Sequence, residues 1–93
     1  MDRKRKGSRA ERRVMTILED AGYVCTRAGG SLGLFDVIAI GAADVRCVQV
    51  KSGTARCSSI EREQLQLLPV PSNVSKEIWR LPDRCRTPLI ERI

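Results

Sequence analysis

The sequence predicts a single α/β domain in which a mixed β-sheet is flanked by helices, with the element order αβββαββ. Three observations predict it. Two Ser-x-x-Glu boxes, at Ser8 and Glu11 and at Ser58 and Glu61, each open a run with helical spacing. Two dense β-forming runs, Phe35 to Ile40 and Val45 to Lys51, flank a turn at Gly41 to Asp44. A closing pair of strand-like runs brackets Pro82, Asp83 and Arg84. Strands grouped around an interposed helix, with a second helix ahead of them, make a layered mixed sheet.

Taken in order, the first helix is expected to begin at Ser8. Ala10, Val14, Ile17, Leu18 and Ala21 then recur on one apolar face, and Gly22 ends the helix by taking a left-handed conformation. Tyr23 to Arg27 is rich in β-formers and reads as a strand. Gly29, Gly30 and Gly33 around Ser31 make the next stretch a loop. The two strong strand runs follow as a hairpin. A second helix runs from Ser58 to about Leu68, where Pro69 stops it, with Ile60, Gln64, Leu67 and Leu68 on one face. Lys76 to Leu81 and Arg86 to Ile93 are the closing strands.

The domain organisation is a basic N-terminal arm over residues 1–7 and one domain over residues 8–93. Residues 1–13 hold seven basic and two acidic side chains, a net of +5, whereas the rest holds ten and nine, a net of +1. A localised positive segment is the footprint of phosphate binding, in which neutralised phosphates release condensed counterions. A solvated tail has the same composition, and structured RNA would be bound as well as DNA. A chain of 93 residues buries only ~60–65% of its unfolded surface, which favours a partner subunit.

Several function classes are excluded. With no histidine in the chain, His-based acid–base chemistry cannot operate. Cys25, Cys47, Cys57 and Cys85 form no C-x-x-C pair, so the usual structural zinc spacings are missing and no zinc is expected. Cys25 and Cys47 lie in strands and are expected to act as small apolar residues. No apolar run reaches the ~20 residues of a membrane span, and the charged start does not read as a signal peptide. A cytoplasmic protein, of a prokaryote or a phage-infected host, is the expectation. With three aromatic residues, single-strand recognition by stacking is not supported, and Trp79 is expected in the core or a dimer contact.

The hairpin carries the chemistry. A turn centred near residue 43 sets Asp36 beside the segment from Gln49 to Lys51. Side chains two apart on a strand share a face, so Gln49 and Lys51 project together while Val50 points away. A carboxylate, an amide and an ammonium then converge at the end of otherwise apolar strands. Burying such groups is costly unless something compensates them, and Mg²⁺, which takes oxygen ligands, would do so.

Phe35-Asp36, a strand, then Gln49-Val50-Lys51 resembles the PD-(D/E)XK nuclease superfamily, in a variant with glutamine at the acidic position. Lys6-Gly7-Ser8-Arg9-Ala10-Glu11, Gly30-Ser31-Leu32-Gly33, Asp36 to Ile40 and Val48 to Ser52 look like the Holliday-junction resolvases of archaea and phages. VRR-NUC nucleases are similar in their core. The resemblance spans roughly residues 5–68. It implies a restriction-endonuclease-like fold and a structure-selective, metal-dependent DNA endonuclease acting as a homodimer on branched or double-stranded DNA.

Carried over by residue, the resemblance implies that Asp36 is the main ligand of Mg²⁺ or Mn²⁺. It gives Gln49 the role of an amide-oxygen ligand and the Val50 backbone carbonyl that of completing the protein shell. Glu11 would bind the metal directly or through water, and Lys51 would orient the attacking water. Ser31 would sit at the substrate phosphate, with Gln64 supporting the centre. Arg3, Lys4, Arg5, Lys6, Arg9 and Arg27 are the expected DNA contacts. With Gln49 neutral, Glu11 and Asp36 alone give the site a formal charge of −2, so weaker metal binding is expected. Two other readings stay open: a non-catalytic DNA-binding module, and an accessory nuclease subunit active only with a partner.

Overall fold

A computed structural model describes residues 2–28, 34–84 and 86–93, and for residues 2–8 the backbone alone. Helix α1 (Asp2–Asp20) is followed by strands β1 (Val24–Arg27), β2 (Val37–Ile40) and β3 (Val45–Ser52). Helix α2 (Ser59–Leu67) and strands β4 (Val74–Leu81) and β5 (Leu89–Arg92) complete the chain. This is the expected αβββαββ order. Among the described residues the five strands form one sheet, ordered β1-β2-β3-β4-β5. Only the β3–β4 pair is parallel, and the connection across it carries α2. The sheet is therefore mixed, as expected.

The helices cover opposite faces. Ala10, Val14 and Leu18 of α1 pack on Val37, Ala39, Val48, Trp79 and Leu81. On the other face Leu65 of α2 packs with Phe35 and Ile78, next to Ile38, Cys47 and Leu68. Trp79 is in the core, and Cys25 and Cys47 are half-buried against these clusters as free thiols.

Two helix expectations need correction. α1 starts at Asp2, so the Ser8 backbone lies inside the helix and cannot be its N-cap. Arg and Lys are good helix formers, and the basic run extends the helix toward the N-terminus. On α2 the face that packs is Leu65 with Leu68, while Ile60 and Leu67 are 70% and 73% exposed. The expected capping box at Ser58 and Glu61 is present in both directions.

Local chemistry fixes the elements that frame the hairpin. Gly22 has φ of 99°, and the Gly22 and Tyr23 amides donate to the Glu19 and Leu18 carbonyls, each at 3.0 Å. These are the two bonds of a Schellman stop. The Tyr23 hydroxyl then donates to the Asp44 carboxylate at 2.9 Å, tying the end of α1 to the β2–β3 turn. A Cβ at Gly41 would lie 2.8 Å from the Tyr23 ring, so this turn needs a glycine.

Candidate active site

The β2–β3 register pairs Val37 with Val48 and Ile40 with Val45. This is one residue away from the register expected from a turn centred at residue 43, and it brings Asp36 opposite Gln49. Asp36 is held just outside β2 by its own backbone. Its amide donates to the Val48 carbonyl at 2.8 Å, and its carbonyl accepts from the Ala28 amide at 3.0 Å. Its carboxylate is thereby turned onto β3, where Oδ2 accepts the Val50 amide at 2.9 Å. In a strand the N–H and C=O of one residue point to the same neighbour, so the Val50 carbonyl lies on the Asp36 side too.

Gln49 and Lys51 share the α2 face of the sheet. Gln49 is only 7% exposed. It opens onto a cavity of about 50 Å³ that Leu34, Glu61, Gln64 and Leu65 also line. Gln64 thus borders the site, although it is not on the packed face of α2. The Lys51 ammonium is drawn to α2, with Nζ 3.1 Å from Glu61 Oε2 and 3.3 Å from Oε1. The same Glu61 carboxylate accepts the Ser58 amide of the cap at 3.0 Å.

Glu11 stands on α1, in the other layer. Because α1 runs on past Ser8, Glu11 is not spent on a cap there. Its carboxylate lies 3.7 Å from Arg27 Nε. Burial, then the negative charge of Asp36, raises the Glu11 pKa, against a smaller downward pull from Arg27. Burial likewise raises the Asp36 pKa, against the Val50 amide and Lys51, which lower it; Glu61 adds to the rise. Glu11 on α1 therefore feels the charge of Asp36.

The donor set fits a hard divalent cation. Two carboxylates, a backbone carbonyl and an amide oxygen are all oxygen donors, and neither histidine nor thiolate is among them. No three His, Cys, Asp or Glu side chains converge on one point among the described residues, so this is not a carboxylate cluster.

Of the expected DNA contacts, Arg9 is exposed on α1 and Arg27 stands at the end of β1 beside Glu11. The backbone of Arg3, Lys4, Arg5 and Lys6 is helical, their side chains lie outside the described residues, and so does Ser31. Two features went unforeseen. Glu61 was legible only as a capping residue, although the helix that presents it is the next element after the strand of Lys51. A hollow of about 280 Å³ gathers Arg9, Arg13 and Arg84 beside Ser52. Arg84 follows a Pro-Asp pair that read simply as a turn.

A five-stranded mixed sheet with a helix on each face is the restriction-endonuclease-like α/β fold. Residues 2–76 match the family model described as archaeal Holliday junction resolvase (Hjc), and the chain belongs to that family. The match extends the resemblance at both ends, from the first turn of α1 into β4. Among solved structures, the Holliday junction resolvase Hjc of the archaeal hyperthermophile Archaeoglobus fulgidus aligns with a TM-score of 0.76 at 22% identity. The alignment covers 94% of this chain and 72% of that one. No curated protein matches the chain. Family and fold together support a nuclease selective for DNA structure. No described helix is long and apolar enough to cross a membrane.

Proposed function

We propose that this chain is an endonuclease that hydrolyses phosphodiester bonds of branched DNA with Mg²⁺ or Mn²⁺, acting as a homodimer. The observation that carries it is the Asp36 carboxylate seated on the Val50 amide, opposite Gln49 and one residue from Lys51. A protein that only held phosphates would be served by Lys or Arg at these positions.

Asp36, the Gln49 amide oxygen, the Val50 carbonyl and Glu11 would hold the cation. When bound it supplies an activated water and offsets charge at the phosphate. Lys51 orients the attacking water and stabilises the charge that builds on the scissile phosphate, usually the largest contribution to catalysis. Releasing that ammonium from Glu61 toward the phosphate is part of substrate engagement. Gln64 supports the cavity side of the centre, and Ser31 contacts the substrate phosphate. Arg3, Lys4, Arg5, Lys6, Arg9 and Arg27 follow the DNA backbone. A substrate of this kind puts the protein in the cytoplasm of a prokaryote or of a phage-infected host.

The test incubates the purified chain with labelled four-way junction, flap, duplex and single-stranded DNA, each with Mg²⁺, Mn²⁺ or chelator. The expected result is metal-dependent cleavage with preference for the junction. Tight binding with no product in any ion would make the chain a binding module. Product only after adding a cellular fraction would make it an accessory subunit.

A further inference from the structure

The proposed centre is short of negative charge, since Gln49 is neutral where the PD-(D/E)XK pattern has an acid. The helix after the motif brings another acid to that spot. Glu61 and Gln49 line the same cavity of about 50 Å³. Gln49, 7% exposed, lines it from the strand side. Glu61 is fixed there by the Ser58 amide at 3.0 Å and by Lys51 Nζ at 3.1 Å. Its charge is felt at Asp36, at the start of the hairpin.

We propose that Glu61 supplies to the cation site the negative charge that Gln49 leaves out, acting from α2 across the cavity that the two share. The proposal rests on the metal-dependent reading above. Because three carboxylates do not converge on a point among the described residues, Glu61 acts at one remove, by its field and through water. The cavity suits this. Its 50 Å³ has room for roughly one or two waters, and hard cations such as Mg²⁺ keep several of theirs. Glu61 is accordingly a positioning residue. It sets the charge of the metal site on one side and holds the Lys51 ammonium on the other.

The experiment is Mn²⁺ titration of the full chain by calorimetry, comparing wild type, Glu61→Gln, Asp36→Asn and the double variant Glu61→Gln with Gln49→Glu. Glutamine at this helix position keeps the capping box, so the single variant retains its fold. The dissociation constant for Mn²⁺ is expected to rise about tenfold in Glu61→Gln, as for loss of an outer-shell partner. It should fall back toward the wild-type value in the double variant, where the acid returns to the strand. Wild-type affinity in Glu61→Gln overturns the proposal, even if cleavage drops, because Glu61 would then serve Lys51 alone. A double variant that binds no more tightly than the single one overturns it too. Heats from wild type no larger than those from Asp36→Asn would be a different failure, that of the metal reading itself.

Discussion

Glu77 is completely buried in β4, yet charged. Its carboxylate accepts from Arg46 Nε and Nη2, from the Ser75 hydroxyl and from Trp79 Nε1, each at 2.8 Å, with Arg92 Nε at 3.5 Å. Burial by itself would raise its pKa; the bonds from Arg46, Trp79 and Ser75 outweigh that and hold it below the ordinary value of 4.5. A carboxyl with a depressed folded-state pKa contributes stability that is complete above the unfolded value and is lost as pH falls through the folded one. Denaturant titrations of wild type should therefore lose stability as pH drops below about 4.5, and Glu77→Gln should flatten that acid limb. Glu77→Ala, which strands Arg46, is expected to cost roughly 3–5 kcal/mol. A parallel acid limb in Glu77→Gln would contradict this account. Nothing local in the sequence announced the pair, because Arg46 and Glu77 are joined only by the parallel pairing of β3 and β4. Asp36, Gln49 and Lys51 were legible because one short hairpin brings them together. The partner of Lys51 was not, since the Ser58 box already accounted for Glu61.

At the scale of elements, α2 has no basic residue in its last turn, and another strand supplies one. The buried Lys76 ammonium donates to the Leu65, Gln66 and Leu68 carbonyls at 2.7, 2.8 and 2.8 Å. These are orphan acceptors at the negative end of the helix dipole. Lys76→Met should lower stability by roughly 2 kcal/mol or more, read as a shift in urea midpoint with an unchanged slope. An unshifted midpoint would show that the carbonyls find water instead. The start of α2 was legible in Ser58 and Glu61, whereas its packed face was not. Ile60 and Leu67 suit an apolar stripe in sequence, but the sheet takes the stripe through Leu65 and Leu68. The Ser8 box misled for a related reason: a cap pattern marks a helix start only when the preceding residues leave the helix, and here Arg3 to Lys6 are good helix formers that carry it on through Gly7. The register slip in the hairpin follows from the turn, which closes through the Gly41 amide and the Asp44 carbonyl at 2.8 Å.

For the whole molecule, 93 residues carry a net charge of +6, half of it on the first helix, whose basic side chains all lie in residues 3–13. Binding to four-way DNA should weaken steeply with salt, the slope of log K against log salt being about −0.9 for each phosphate neutralised. Replacing Arg3, Lys4, Arg5 and Lys6 by Ala should make that slope shallower by several units, while an unchanged slope would remove the helical extension from the DNA contacts. The proposed homodimer is checked by sedimentation, where twice the 10.4 kDa chain mass is expected. The mixed sheet flanked by helices, the order of elements along the chain and the β2–β3 hairpin could be read from periodicity and spacing. The buried ion network and the Lys76 cap on the C-terminal end of α2 could not, because each joins residues that only the finished sheet makes neighbours. The most direct measurement is the single-turnover rate of four-way junction cleavage in Mg²⁺ for wild type, Asp36→Asn and Lys51→Ala. Wild-type cleavage with at least a hundredfold loss in each variant is the result expected from removing a metal ligand or a phosphate-stabilising charge; cleavage that persists in both would place the chemistry elsewhere.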